Sequence, residues 1–127
     1  MSGLYDAEVS SVKPPEPQLT QAGFLVLLAL ASREAHGYAV MQFADQTTGG
    51  MVRLPPGTLY RTISRLLADG LVEEIAGQDP GAPHDARRRY YRLTERGRRA
   101  AEDEAQLLAL LTQAASEAGL ARSRRRT

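Results

Sequence analysis

Apolar positions along the chain fall into four helix-period stretches and two short alternating ones, and these predict the order of the elements. Residues 1–18 stand outside the pattern: Pro14, Pro15 and Pro17 with few large apolar side chains predict a flexible N-terminal arm. Thr20 is placed to cap a helix from Gln21 to about Ser32. Its run Phe24–Ala31 is apolar nearly all round, so this helix is expected at the centre of the fold. A break at Arg33–Gly37 precedes a second helix that runs to about Thr48, with Val40, Met41 and Ala44 on one face and Gln42, Asp45 and Gln46 on the other. Gly49 and Gly50 end it, because glycine accepts the left-handed conformation at a helix C-terminus.

A third helix starts near Pro56, where proline suits the first helical position, and stops at Asp69-Gly70. At about 100° per residue, Leu59, Ile63, Leu66 and Leu67 share one arc. Gly57, Arg61, Arg65 and Ala68 lie opposite, with Thr58 and Ser64 at the margins. One face is core; the other is small, hydroxylated and cationic. Leu71–Ala76 reads as a strand, a turn-rich stretch Gly77–Ala86 follows, and Arg88–Leu93 alternates as a second strand that buries Tyr91 and Leu93. Thr94 caps a last helix to about Gly119. Its apolar positions Ala101, Ala105, Leu108, Leu111, Ala115 and Ala118 are spaced like a coiled-coil seam, and Leu107, Leu110 and Ala114 widen the stripe. That stripe is broader than one small domain covers, so a homodimer interface is expected on it, joined by Leu25 and Leu28 of the first helix.

The fold class that results is mainly α with a small β-hairpin. Three helices followed by a hairpin make a winged helix-turn-helix over residues 19–93, in which the third helix enters the DNA major groove. Residues 94–119 form a long C-terminal dimerisation helix, and residues 120–127 a basic disordered tail.

Composition narrows the picture further. A chain of 127 residues fits one domain. With no Cys, a disulfide framework, a thiolate metal site and a cysteine nucleophile are excluded, which suits a reducing cytoplasm. The longest apolar run is eight residues, far from the twenty or so of a membrane span, and no apolar segment behind a basic start marks a signal peptide. A soluble, cytoplasmic protein is expected. The net charge of +1 hides a strong partition. Residues 1–52 carry net −3 and residues 53–99 net +4, with four more arginines in the last six positions. Of the 16 cations 15 are arginine, the side chain suited to planar, bidentate contacts with phosphate or guanine.

Several segments, in order and with matching gaps, resemble the PadR family of bacterial transcriptional regulators. They are His36-Gly37-Tyr38, Pro56-Gly57-Thr58-Leu59-Tyr60, the run Leu66–Val72, and Arg89-Tyr90-Tyr91-Arg92-Leu93-Thr94 with Gly97. The resemblance covers about residues 19–119 and is to the shorter subgroup with a single C-terminal helix. It implies a homodimeric repressor of double-stranded DNA, released by a small ligand or another signal. The wing differs from the family's usual Gly-Arg-Pro-Arg-like stretch and reads Ala82-Pro-His-Asp-Ala-Arg-Arg-Arg89. The resemblance also implies that aromatic or drug-like molecules can bind at the dimer interface, in some members on a tryptophan; this chain has none, so a stacking site of that kind is not expected.

The candidate DNA-binding residues follow from the two readings together. Arg53, Arg61 and Arg65 lie in a segment without an acid from Arg53 to Ala68, and the small neighbours of Arg61, among them Ser64, let a helix approach base edges. Pro56, Gly57 and Thr58 leave backbone N–H groups at a helix start, a natural phosphate site. Arg87, Arg88 and Arg89 in the wing are expected on phosphate or in the minor groove. Tyr60 reads equally as a half-buried core residue or a phosphate contact, and Tyr38 as helix packing or, by the resemblance, a neighbour of the DNA backbone. His36 and His84 sit in unrelated elements without partners spaced for metal, and no catalytic constellation is legible, so neither metal, cofactor nor enzyme activity is expected. The rival class is a winged-helix protein-interaction module without DNA binding, against which the acid-free arginine segment speaks.

Overall fold

The computed structural model describes residues 19–75 and 89–120; the arm 1–18, the turn 76–88 and the tail 121–127 lie outside the described residues. Helix α1 (Gln21–Ala31) begins where Thr20 Oγ1 accepts from the Gly23 N–H at 2.9 Å. Gly23, Leu25, Val26, Leu27, Ala29 and Leu30 are all buried on it, as a helix apolar nearly all round must be. It packs against every other helix and against the sheet.

Strand β1 (Ala35–His36) and helix α2 (Gly37–Thr47) follow. His36 Nδ1 accepts from the Ala39 N–H at 3.2 Å and so caps α2. Val40 and Ala44 are buried on its inner face. At its end Gly49 and Gly50 take φ of 62° and 83°, and the Gly50 N–H reaches the Asp45 carbonyl at 2.8 Å.

Helix α3 (Pro56–Ala68) carries Pro56 in its first turn and buries Leu59, Ile63 and Leu66. Its end is a Schellman motif: Gly70 has φ 76°, the Leu71 N–H bonds the Leu66 carbonyl at 3.0 Å, and the Gly70 N–H bonds that of Leu67 at 3.1 Å. The two leucines of the motif, Leu66 and Leu71, both enter the core. Strand β2 (Val72–Ile75) then pairs antiparallel with β3 (Tyr90–Leu93), from Val72 opposite Leu93 to Ile75 opposite Tyr90.

Helix α4 (Glu95–Glu117) spans roughly 35 Å at 1.5 Å per residue. Thr94 caps it by accepting from the Gly97 N–H at 2.9 Å, while its own hydroxyl donates to the Gly70 carbonyl at 2.7 Å. Arg98 donates to the Ala31 carbonyl at the end of α1 at 2.9 Å. Beyond Ala101 the helix leaves its own domain, and Leu107, Leu108, Leu110 and Leu111 are all exposed.

Four expectations change. The break at Arg33–Gly37 contains β1, which pairs with β3 (Ala35 opposite Tyr91, His36 opposite Tyr90), so the wing belongs to a three-stranded sheet in the order β1-β3-β2. Two residues held by backbone hydrogen bonds leave no side-chain period to detect. Leu71 serves the helix-ending motif and β2 starts at Val72, while β3 starts at Tyr90 rather than Arg88. Leu25, expected at a dimer interface, is 6% exposed and belongs to the core of its own chain, unlike Leu28 at 37%. Ala101 packs against that same core, so the outward stripe begins after it.

A Cβ built on Gly97 would meet the Leu71 carbonyl oxygen and lie 3.0 Å from Leu93 Cδ1, so α4 can approach the sheet only through a glycine. Gly97→Ala is expected to destabilise the fold by about 1–3 kcal/mol, more if backbone must move, because the obstruction is a carbonyl and not a flexible side-chain end. Urea unfolding of the variant beside the parent checks this.

Candidate nucleic-acid interface

Helix α3 places its polar side outward. Pro56, Gly57, Tyr60, Arg61, Ser64, Arg65 and Ala68 are exposed and Thr58 is half-buried, opposite the buried Leu59, Ile63 and Leu66. Pro55 precedes the helix without a side-chain cap, so the first N–H groups of α3 are left to an anion or to water. Among the described residues neither Arg61 nor Arg65 forms an ion pair. Both flank a shallow groove of about 280 Å³ between α3 and the start of α1, shared with Thr20, Thr62 and Asp69.

The other arginines differ. The stretch from Arg53 to Ala68 holds no acid in sequence, yet the fold brings Asp45 of α2 to 3.4 Å from Arg53 Nε. Arg89 Nη1 lies 3.4 Å from Glu74 Oε1 across the sheet. Arg92 makes a closer pair with Glu73 through Nη2 at 2.8 Å and Nε at 2.9 Å. These pairs are solvent-exposed, worth up to about 1 kcal/mol each, and exchange readily for a phosphate. Arg87 and Arg88 lie outside the described residues.

A larger groove of about 520 Å³ runs between α3 and the sheet, walled by His36, Gly37 and Tyr38 on one side, Tyr60, Ile63, Ser64 and Leu67 on α3, Glu74 and Tyr91 on the strands, and Arg89 just before β3. Tyr60 is 47% exposed and Tyr38 57%, so neither is a core residue. The Tyr60 hydroxyl occupies the space a Cβ on Gly37 would need, which ties the start of α2 to α3. The His36 ring meets Tyr90 edge-on, with centroids 5.3 Å apart at 84°. The cap that His36 gives α2 is a local contact across three residues, whereas its packing on Tyr90 and the place of Glu74 in this groove depend on strand pairing that leaves no local signal. Among the described residues no group of three His, Cys, Asp or Glu is arranged to hold a metal, and no helix is long and apolar enough to cross a membrane.

The stripe expected at the dimer interface is laid out along the second half of α4. Leu108 and Leu111 are 38% and 55% exposed, Leu107, Ala105 and Ala118 are also exposed, and Ala115 is half-buried.

Residues 26–103 match the model of the transcriptional regulator PadR-like family. An uncharacterised 37.1 kDa protein of transposon TN4556 from Streptomyces fradiae is 40% identical over 91 residues, which are 72% of this chain; the chain spans 24% of that relative's length. Among solved structures, a PadR-like transcriptional regulator from Bacillus cereus superposes with a TM-score of 0.66 at 18% identity, over 79% of this chain and 92% of that one. The structure of Bordetella bronchiseptica BpsR, a protein whose DNA binding is regulated by 6-hydroxynicotinic acid, superposes with a TM-score of 0.61 at 27% identity, over 79% of this chain and 63% of its own.

The Tyr91 phenol is 3% exposed, and burial first, then the carboxylate of Glu74 and the neighbouring Tyr60, push its pKa above the usual 10.0 against the opposing pull of Arg89. The folded state therefore holds the phenolic proton more tightly than the unfolded chain. Its contribution to stability is complete below pH 10 and is lost as pH rises from there through the folded-state value. Tyr91→Phe, which keeps the ring, is expected to flatten the fall of unfolding free energy above pH 10, measured by urea titration across the alkaline range.

Proposed function

Since the chain belongs to the PadR-like family of transcriptional regulators, we propose that it binds double-stranded DNA sequence-specifically as a homodimer and acts as a repressor on an inverted-repeat operator, relieved by a small-molecule effector. The observation that carries this reading is the outer face of α3, where Arg61 and Arg65 project among small side chains and, among the described residues, form no ion pair. An unpaired guanidinium can turn toward a guanine edge or a phosphate without first breaking an ion pair. Arg53 and Arg89, already held on exposed carboxylates, suit the flanking backbone, where a phosphate replaces the carboxylate. Tyr38, Pro56, Gly57, Thr58, Tyr60 and Ser64 complete the surface, with Arg87 and Arg88 assigned to it from sequence alone. The exposed leucines of α4 supply the dimer contact, with Ala105, Ala115, Ala118 and Leu28 around them. Regulation of BpsR by 6-hydroxynicotinic acid supports an effector for this chain too, without identifying it.

A two-fold dimer with one α3 per protomer requires half-sites about 34–36 Å apart, one turn of the duplex. Arg61→Ala and Arg89→Ala, titrated in parallel on operator and scrambled DNA at several salt concentrations, separate base reading from backbone positioning. Arg61→Ala is expected to cost about 1–3 kcal/mol on operator alone and so to narrow the operator-to-scrambled ratio. Arg89→Ala is expected to weaken both DNAs alike and lower the salt slope by about one unit per site. Exchanged profiles would mean that the wing, not α3, reads sequence. No retardation of any DNA by the parent would leave the protein-interaction module as the reading.

The dimer has its own test. Leu108→Asp or Leu111→Asp places an unpaired charge in the proposed interface, a loss of several kcal/mol. Sedimentation is expected to show a dimer for the parent and a monomer for the variants, and an unchanged dimer would put the interface elsewhere.

A further inference from the structure

The groove between α3 and the sheet has the chemistry of a binding site in its own right. Its volume of about 520 Å³ is that of a small-molecule cleft. Its apolar floor comes from Ile63 and Leu67, and its walls from the rings of Tyr38, Tyr60 and Tyr91. Among the described residues Glu74 is the one acid lining it and Arg89 the one arginine. Among the described residues the hydroxyls of Tyr60 and Tyr91 have no hydrogen-bond partner, although Tyr91 is 3% exposed. Neither oxygen is sealed from solvent, so both hydroxyls are left to water or to a molecule in the groove.

We propose that this groove binds a small organic cation, a protonated or quaternary amine on an apolar body, with its charge on Glu74 and against the tyrosine faces. Three features select a cation over an anion. Of the two opposite charges lining it, the carboxylate of Glu74 is the less exposed, its side chain 40% against 67% for Arg89, so the charge held closer to the groove is negative and repels anions. Aromatic faces present negative potential and attract ammonium groups within about 6 Å. Finally, the chain's own Arg89 already seats a cation on Glu74, at 3.4 Å in an exposed pair that a better-desolvated ammonium can displace. The raised pKa of Tyr91, caused in part by Glu74 and Tyr60, reports the same electronegative, poorly hydrated surroundings. Occupation would displace Arg89 and fill the space beside Tyr38, Tyr60 and Ser64. If the proposed DNA-binding reading holds, an occupied groove and a bound duplex therefore exclude one another; the binding of the cation itself does not depend on that reading.

The 127-residue chain is titrated with benzyltrimethylammonium and, separately, with phenylacetate, followed by calorimetry and by the ring resonances of its tyrosines. The ammonium is expected to bind and the carboxylate not to. Glu74→Gln is expected to weaken binding about tenfold, the scale of a lost contact to a charged group, and Glu102→Gln, which removes the same charge from the exposed side of α4, to leave it unchanged. Arg89→Ala is expected to tighten binding by removing the resident competitor, an effect opposite to that of a merely weakened fold. Tyr60→Leu, which keeps bulk and removes the ring, is expected to weaken it. Absence of ammonium binding to the parent, equal binding of phenylacetate, or equal affinity in Glu74→Gln would each overturn the proposal. Gel shifts with and without the ammonium separate the two readings: cation binding without any DNA retardation sinks the DNA reading alone, and DNA retardation without cation binding sinks this one alone.

Discussion

The carbonyl of Leu71 is the point on which the rest of the structure hangs. It accepts the Thr94 N–H at 3.1 Å, and the same residue's N–H closes the end of α3 on Leu66 at 3.0 Å. Gly97 passes directly against that oxygen, and the Thr94 hydroxyl bonds the adjacent Gly70 carbonyl. One residue thus joins the end of the outward-facing helix, the root of the wing and the start of the long helix. The backbone groups of Leu71, a residue 1% exposed, would otherwise be left without partners in the interior. Because they share partners, the angles of α3 and α4 to the sheet are set together.

From that junction outward the molecule divides by burial. Inside, α1 offers apolar side chains on nearly every face and becomes the surface on which α2, α3, α4 and the sheet all pack. Outside, the distinction that matters is between paired and unpaired arginines. Arg92 is held closely by Glu73, Arg53 and Arg89 are held loosely, and Arg61 and Arg65 have no acid among the described residues. In exposed positions such pairing is weak, so it acts less as a source of stability than as a sorting of which guanidinium groups are available at what cost.

Much of this was legible in the amino-acid order. A helical period of 3.6 separates Leu59, Ile63 and Leu66 from Arg61 and Arg65 without reference to anything else in the fold, because neighbours on a helix face are determined within a few residues. The caps at Thr20 and Thr94 and the stops at Gly49, Gly50 and Gly70 are equally local, being a side-chain hydrogen bond or a backbone conformation open to glycine. The same reasoning failed on Leu25, since a helix that is apolar all round does not say which of its faces its own chain will cover.

Local order therefore determined the elements, their polar and apolar faces and the family to which the chain belongs. Only the tertiary structure decided what meets across chain distance. It made Ala35 and His36 a strand by pairing them with Tyr91 and Tyr90, brought Asp45 to Arg53 and Glu74 to Arg89, and enclosed three tyrosines and a carboxylate in one groove. Such contacts rest on strand register and helix packing, whose energies come from residues dozens of positions apart. No short-range period carries that information.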